Sequence, residues 1–281
     1  VTVHILRLAC PDRPGIVASV ARALFEAGGN ILDNAQHTEP STGTFCMRTR
    51  VDLPEPDAAA VAAHLRVAAP EVGGELSVRR EDDPPRVLVM ASREGHCLVD
   101  LLHRHQAGEL GARLVAAVSN HADLGPVAEA AGVPFEVVPV TPESKPAAEA
   151  RLRELVAEHR ADLVVLARYM QILSPGLADE LAGRAINIHH SFLPGFKGAR
   201  PYQQAWDRGV KLIGATAHFV TADLDEGPII DQDVVRVSHA VSAAEMVVLG
   251  RDVERVVLAR AVRSWAEGRV FLQGRRTVVL P

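Results

Sequence analysis

Asn187, His189 and Asp225 bring an amide, an imidazole and a carboxylate into one 40-residue stretch of the chain, roughly the set of groups an acyl transfer uses. An amide can donate to a developing oxyanion. An imidazole can donate a proton or a hydrogen bond. A carboxylate can take the proton of an incoming nucleophile. An unperturbed imidazole titrates near ~6.5, so modest tuning sets its charge. The chain has no G-x-S-x-G elbow, which points to direct attack on a bound acyl donor rather than a covalent acyl-enzyme.

The elements that carry these groups must bring them together. Residues 185–189 read AINIH, an alternation of strand period that sets Asn187 and His189 on one face and Ile186 and Ile188 on the other. Ser191, Pro194, Gly195 and Gly198 then give loop chemistry. A second apolar run, 213–220, carries His218 and stops in the acidic stretch Asp223-Leu224-Asp225-Glu226-Gly227. Polar groups at the ends of strands are the expected arrangement for a site on an α/β sheet. His190 faces away from His189 and is read as structural, and Asp223 and Glu226 as solvated turn residues. The three histidines 189, 190 and 218 lack a closed-site spacing and a thiol partner, so no metal is expected. Arg168 either contacts substrate or forms a salt bridge at a strand end; Tyr169 and Met170 are either core or pocket wall.

The 281 residues suit one large or two modest domains, and 48% hydrophobic with 23% charged content supports a real core. No apolar run approaches the ~20 residues needed to span a bilayer, and no basic segment with an apolar stretch opens the chain. A cytoplasmic protein without membrane contact is expected. The net charge of -5 gives no broad reason to bind nucleic acid. Cys10, Cys46 and Cys97 are odd in number and far apart, and are read as reduced thiols.

Residues 1–80 follow a β-α-β-β-α-β order, the ferredoxin-like split unit. The charged, proline-bearing stretch around 81–85 is the expected linker. Residues 86–281 alternate strand-like and helical runs, which implies a Rossmann-like, open, mainly parallel sheet. Strands are expected near 87–91, 114–118, 135–140 and 163–167, with a long helix over 243–265 and two short strands after it.

Two resemblances follow from these motifs. The first strand followed by Asp12-Arg13-Pro14-Gly15-Ile16-Val17, with Asn30-Ile31 opening the next strand, resembles an ACT domain. That likeness implies pairing between copies, hence a homo-oligomer, and an amino-acid effector near Asp12, Gly15 and Asn30. The alternative is a turn that serves only the fold and dimerisation. Asn187-Ile188-His189, then Ser191-Phe192-Leu193-Pro194, His218 and Leu224-Asp225-Glu226-Gly227-Pro228, resemble the formyltransferase family that uses 10-formyltetrahydrofolate. The resemblance implies catalytic roles for Asn187, His189 and Asp225, with His218 in support. It implies a pterin pocket along 166–173, including Arg168, Tyr169, Met170, Ile172 and Leu173, with Gly227 also at the substrate. Arg168, Lys197 and Arg200 are candidates for the folate glutamate tail.

The acceptor separates the branches of that family. The loop after the first strand of the second domain reads Ala91-Ser92-Arg93-Glu94-Gly95-His96-Cys97, a poor phosphate cradle with one glycine and an acidic Glu94. No basic RNA-binding domain follows. A chain that joins an ACT-like domain to this catalytic domain, with Ser92-Arg93-Glu94-Gly95-His96-Cys97-Leu98, Ser119-Asn120-His121 and Gly198-Ala199-Arg200-Pro201-Tyr202, resembles the formyltetrahydrofolate deformylase branch of that family. That likeness implies water as acceptor, formate and tetrahydrofolate as products, formate supply to purine synthesis, and no permanently bound cofactor. Three other readings stay open: transfer to an amine, a folate- or amino-acid-binding regulator, and hydrolysis of another formyl compound.

Overall fold

The computed structural model of the chain describes residues 2–70, 72–195 and 201–281. Lys197 and Arg200, the glutamate-tail candidates, lie outside the described residues, as does Gly198. The chain forms two compact units: Val1–Pro84 with Ser264–Pro281, and Pro85–Arg263.

The first unit runs β1 (Thr2–Pro11), α1 (Ile16–Glu26), β2 (Asn30–Glu39), β3 (Thr44–Leu53), α2 (Ala58–Ala68) and β4 (Glu75–Arg80). Its antiparallel sheet has the order β2-β3-β1-β4, the ferredoxin-like arrangement expected from the element order. Gly15 starts α1 from a left-handed φ of 94°, which an L side chain rarely adopts. The helix then buries Ile16, Val20, Ala23 and Leu24, one stripe at helical spacing, against Leu6, Leu8, Met47 and Val51 of the sheet.

The second unit contributes β5 (Arg86–Ala91), α3 (His96–Gln106), β6 (Arg113–Ser119), α4 (Gly125–Ala130), β7 (Phe135–Val137), α5 (Lys145–Glu158) and β8 (Leu163–Ala167). It continues with α6 (Pro175–Glu180), β9 (Ala185–His189), α7 (Pro201–Asp207), β10 (Leu212–Phe219), β11 (Ile229–Arg236) and the long α8 (Ala243–Ala266). The seven strands lie in the order β11-β10-β9-β8-β5-β6-β7. From β9 to β7 all neighbours are parallel, while β10 and β11 add an antiparallel edge. The central β8, and β5 from Val87 onward, are apolar and buried throughout, as strands covered on both faces are.

Three features depart from the sequence reading. The run expected over 135–140 is a strand only at Phe135–Val137, since Pro139 has no N–H for a ladder. The edge strand β11 was not expected: Asp231, Gln232 and Asp233 interrupt its apolar pattern. The third departure concerns the C-terminus. Residues 264–281, expected within the second domain, belong to the first unit. There β12 (Val270–Gln273) and β13 (Arg276–Val279) form a hairpin whose Phe271, Val278 and Leu280 cluster with Cys46. Arg7 donates to the carbonyls of Gly268 (3.0 Å) and Val270 (2.6 Å), Arg48 to that of Glu267 (2.7 Å), and Arg79 to that of Ala266. Guanidinium groups on the sheet face opposite α1 and α2 need such acceptors once buried, and residues distant in sequence supply them.

Candidate active site

β9 and β10 bring the polar groups onto one sheet face. In the antiparallel register Asn187 pairs with His218, and His189 with Thr216. Directly paired residues share a face, so Asn187 Nδ2 reaches His218 Nε2 at 3.2 Å. His218 Nδ1 lies 2.9 Å from the Phe219 carbonyl oxygen. A carbonyl only accepts, so Nδ1 carries the proton and Nε2 is the lone pair that accepts from Asn187. This fixes which way the Asn187 amide is turned.

Asp225 arrives by a route the sequence did not suggest. β10 ends beside the start of β9, with Phe219 opposite Ile186, at the far end of β9 from His189. The loop 220–228 therefore folds back along the face of β9 to reach the imidazole. Its neck is closed by Phe219 N–H to the Pro228 carbonyl (2.9 Å), and Thr221 Oγ1 donates to the Asp223 carbonyl (2.9 Å). Asp225 sits at a left-handed φ of 57°, a costly conformation for a residue other than glycine. Its Oδ1 lies 3.2 Å from His189 Nδ1 and 3.8 Å from His218 Nε2. The site is thus built on the face of the sheet as much as at its strand ends.

A cavity of about 290 Å³ lies over these groups. Asn187, His189, His218 and Asp225 line it, together with Arg168, Tyr169, Met170, Ile172 and Leu173 from the turn after β8. Tyr169 and Leu173 also belong to the core, so Tyr169 is both core and pocket wall, whereas Met170 is exposed and only lines the cavity. Arg168 (φ 64°) and Met170 (φ 61°) share the left-handed conformation of Asp225. His189 Nε2 is buried and has no hydrogen-bond partner.

Burial alone would raise the Asp225 carboxyl, but the hydrogen bond from His189 and the neighbouring imidazoles outweigh it and hold the group below its ordinary 3.8. Burial pushes His218 down, and burial with the Arg168 guanidinium pushes His190 down to about 3. A depressed histidine stays neutral in the fold while the unfolded chain takes up the proton. Its contribution to stability is therefore complete above the unfolded value near 6.5 and is lost as pH falls from there toward 3. We expect the melting temperature to drop between pH 7 and pH 5, with a slope of at most ~1.4 kcal/mol per pH unit from each such group. His190→Gln should flatten that drop in a thermal scan; an unchanged slope would remove His190 from the account.

A family model described as formyl transferase matches residues 85–262, and an ACT domain model matches residues 4–69. The formyltetrahydrofolate deformylase of Corynebacterium sp. (strain P-1) is 47% identical over 281 residues, covering 99% of this chain and 98% of the relative. That of Mycobacterium tuberculosis (strain ATCC 25618 / H37Rv) is 48% identical, covering 98% and 89%. The crystal structure of the Pseudomonas syringae pv. tomato formyltetrahydrofolate deformylase superposes with a TM-score of 0.95 at 48% identity, covering 100% of this chain and 94% of that one. The chain belongs to the formyltetrahydrofolate deformylase family. The deformylase fold thus joins an ACT-like unit to a formyltransferase sheet, and the enzyme class is hydrolase.

Other residues of this deformylase-family chain fall where the sequence reading did not put them. Gly227 is not among the residues that line the cavity. It packs against β10, where an added Cβ would stand 1.7 Å from the Phe219 carbonyl oxygen. Asp12, Gly15 and Asn30 are exposed, and the cavity described in their unit, about 290 Å³, is lined by other residues, among them Leu6, Leu65 and Leu76. A buried polar cluster also went unread. Glu254 of α8 accepts from Tyr202 Oη (2.6 Å), pairs with His96 Nε2 (2.8 Å) and lies 3.4 Å from Arg168 Nε. His96, Cys97 and Glu254 offer ligand atoms within 4.8 Å of one another. Hydrogen bonds already engage His96 and Glu254, and burial raises the Cys97 thiol well above its ordinary value. The signal available was a glutamate within a largely apolar helical stripe, which requires a buried partner. All three cysteines are buried thiols. Among the described residues, no helix is long and apolar enough to cross a membrane.

Proposed function

We propose that the chain hydrolyses 10-formyltetrahydrofolate to formate and tetrahydrofolate, with the folate bound as substrate and water as the only acceptor, and that the formate feeds purine synthesis and rebalances one-carbon pools. The observation that carries this reading is the 3.2 Å contact of His189 Nδ1 with Asp225 Oδ1, beside an Asn187 amide turned by His218 and an unpartnered His189 Nε2.

In this mechanism Asp225 accepts a proton from water as the water oxygen bonds to the formyl carbon. The carbonyl oxygen takes up negative charge and is met by the second N–H of Asn187 and by the Nε2–H of His189, which in this mechanism is the imidazolium, because its Nδ1–H already donates to Asp225. The C–N bond then breaks, N10 takes the proton delivered through Asp225 or His189, and formic acid ionises to formate. The depressed Asp225 carboxyl supplies the base in its ionised form across neutral pH. Leu166 and the segment 169–173 form the proposed wall for the pterin.

Incubation with 10-formyltetrahydrofolate and no added amine tests the reading. Formate and tetrahydrofolate should appear in equal amounts over many turnovers. A burst of at most one equivalent, with turnover restored by an amine, would make the chain a transferase instead.

The ACT-like unit supports a regulatory reading: an amino acid tied to one-carbon pools, glycine or methionine, binds near the Gly15 turn of a paired domain. Saturating amounts of one of them should then change the rate or the melting temperature. If both leave both quantities unchanged, the unit serves assembly or structure only.

A further inference from the structure

A second cavity of about 540 Å³ shares Arg168, Met170 and His190 with the catalytic cavity, so these side chains form a common wall. Its other polar lining includes Glu94, Tyr202, Arg251 and Glu254. Most of that charge is answered internally. Arg251 Nη2 lies 2.8 Å from Glu94 Oε2. Glu254 is buried and held by Tyr202 and His96 at hydrogen-bond distance.

Arg168 is the exception. Its side chain is 12% exposed, and both Nε and Nη1 are buried without a hydrogen-bond partner. Its contact with Glu254, at 3.4 Å, is an ion pair rather than a hydrogen bond. A guanidinium carries five N–H donors, and leaving buried donors unmet is costly. The backbone is held in a left-handed conformation at this residue as well. Nε faces Glu254, which leaves the Nη1–Nη2 edge of this under-supplied cation, fixed in a wall beside the reacting groups, to match a small planar anion that can accept two parallel N–H bonds. Hydrolysis of a formyl group generates such an anion.

We propose that Arg168 binds the formate product at this shared wall. The proposal rests on the deformylase reading above.

The test is binding of ¹³C-formate to the full chain, followed by line broadening of the formate resonance without turnover. Formate inhibition of the hydrolysis is measured in parallel. Wild type should broaden the resonance in a saturable way. Arg168→Met should weaken formate binding by about tenfold or more, and Arg168→Lys, which keeps the charge but loses the fork, by less. Equal binding by wild type and Arg168→Met, or no saturable binding by wild type, overturns the proposal. So does an unchanged formate inhibition constant with a raised KM for the folate, which would place Arg168 on the substrate side. If Arg168→Met does not fold, Arg168→Lys decides alone: binding equal to wild type sinks the idea. Failure of wild type to release formate without an amine would instead sink the deformylase reading, so the two failures are told apart.

Discussion

Asp225→Asn should lower kcat for formate release by about 10³-fold while leaving KM for the folate within a few-fold. The substitution is close to isosteric, and asparagine tolerates the left-handed φ of 57° found at this position. Its carbonyl oxygen can still accept from His189 Nδ1, so the loop and the imidazole keep their places. What is lost is the capacity to take a proton from water. Because the carboxyl is held below its ordinary 3.8, the wild-type group is ionised throughout the neutral range. The deficit of the variant should therefore be nearly constant from pH 5 to pH 8. Two results would refute the assignment: a kcat within tenfold of wild type, or a deficit that vanishes at one end of that range.

Gly227→Ala should damage the same site without touching a reacting group. The position does not need glycine for a positive φ; it needs it for space. A Cβ there would stand 1.7 Å from the Phe219 oxygen and 2.8 Å from the Phe219 carbon. Both are backbone atoms of β10, so no side chain can swing aside to make room. The neck of the loop, held by Phe219 N–H and the Pro228 carbonyl, would have to open, and Asp225 lies two residues away. A displacement of about 1 Å at a catalytic group is enough to cost about 10²-fold in rate. Overpacking against backbone should also cost about 1–3 kcal/mol of stability. Kinetics and a thermal melt on the same preparation test both effects, and a variant with wild-type kcat and melting temperature would show that the neck yields freely.

Much of this site can be read from the linear chain because its chemistry is local. Strand period alone sets Asn187 and His189 on one face, and both line the cavity. The apolar runs at 87–91 and 163–167 are continuous because both faces of those strands are buried, and they form the centre of the sheet. The β-α-β-β-α-β order of the first unit follows from alternation, helical spacing and turn residues, each a property of a few neighbouring positions.

Tertiary structure decided the rest, and in each case the cause is a contact between residues distant in sequence. The loop 220–228 runs back along β9 because β10 is antiparallel to it, and strand direction is not encoded in a side-chain pattern. The role of Gly227 depends on a carbonyl eight residues earlier that only the folded hairpin brings against it. The buried cluster of His96, Tyr202 and Glu254 draws on three separate elements, so no spacing rule could have gathered it. The C-terminal hairpin joins the first unit because buried arginines there need carbonyl acceptors, a demand that composition does not reveal.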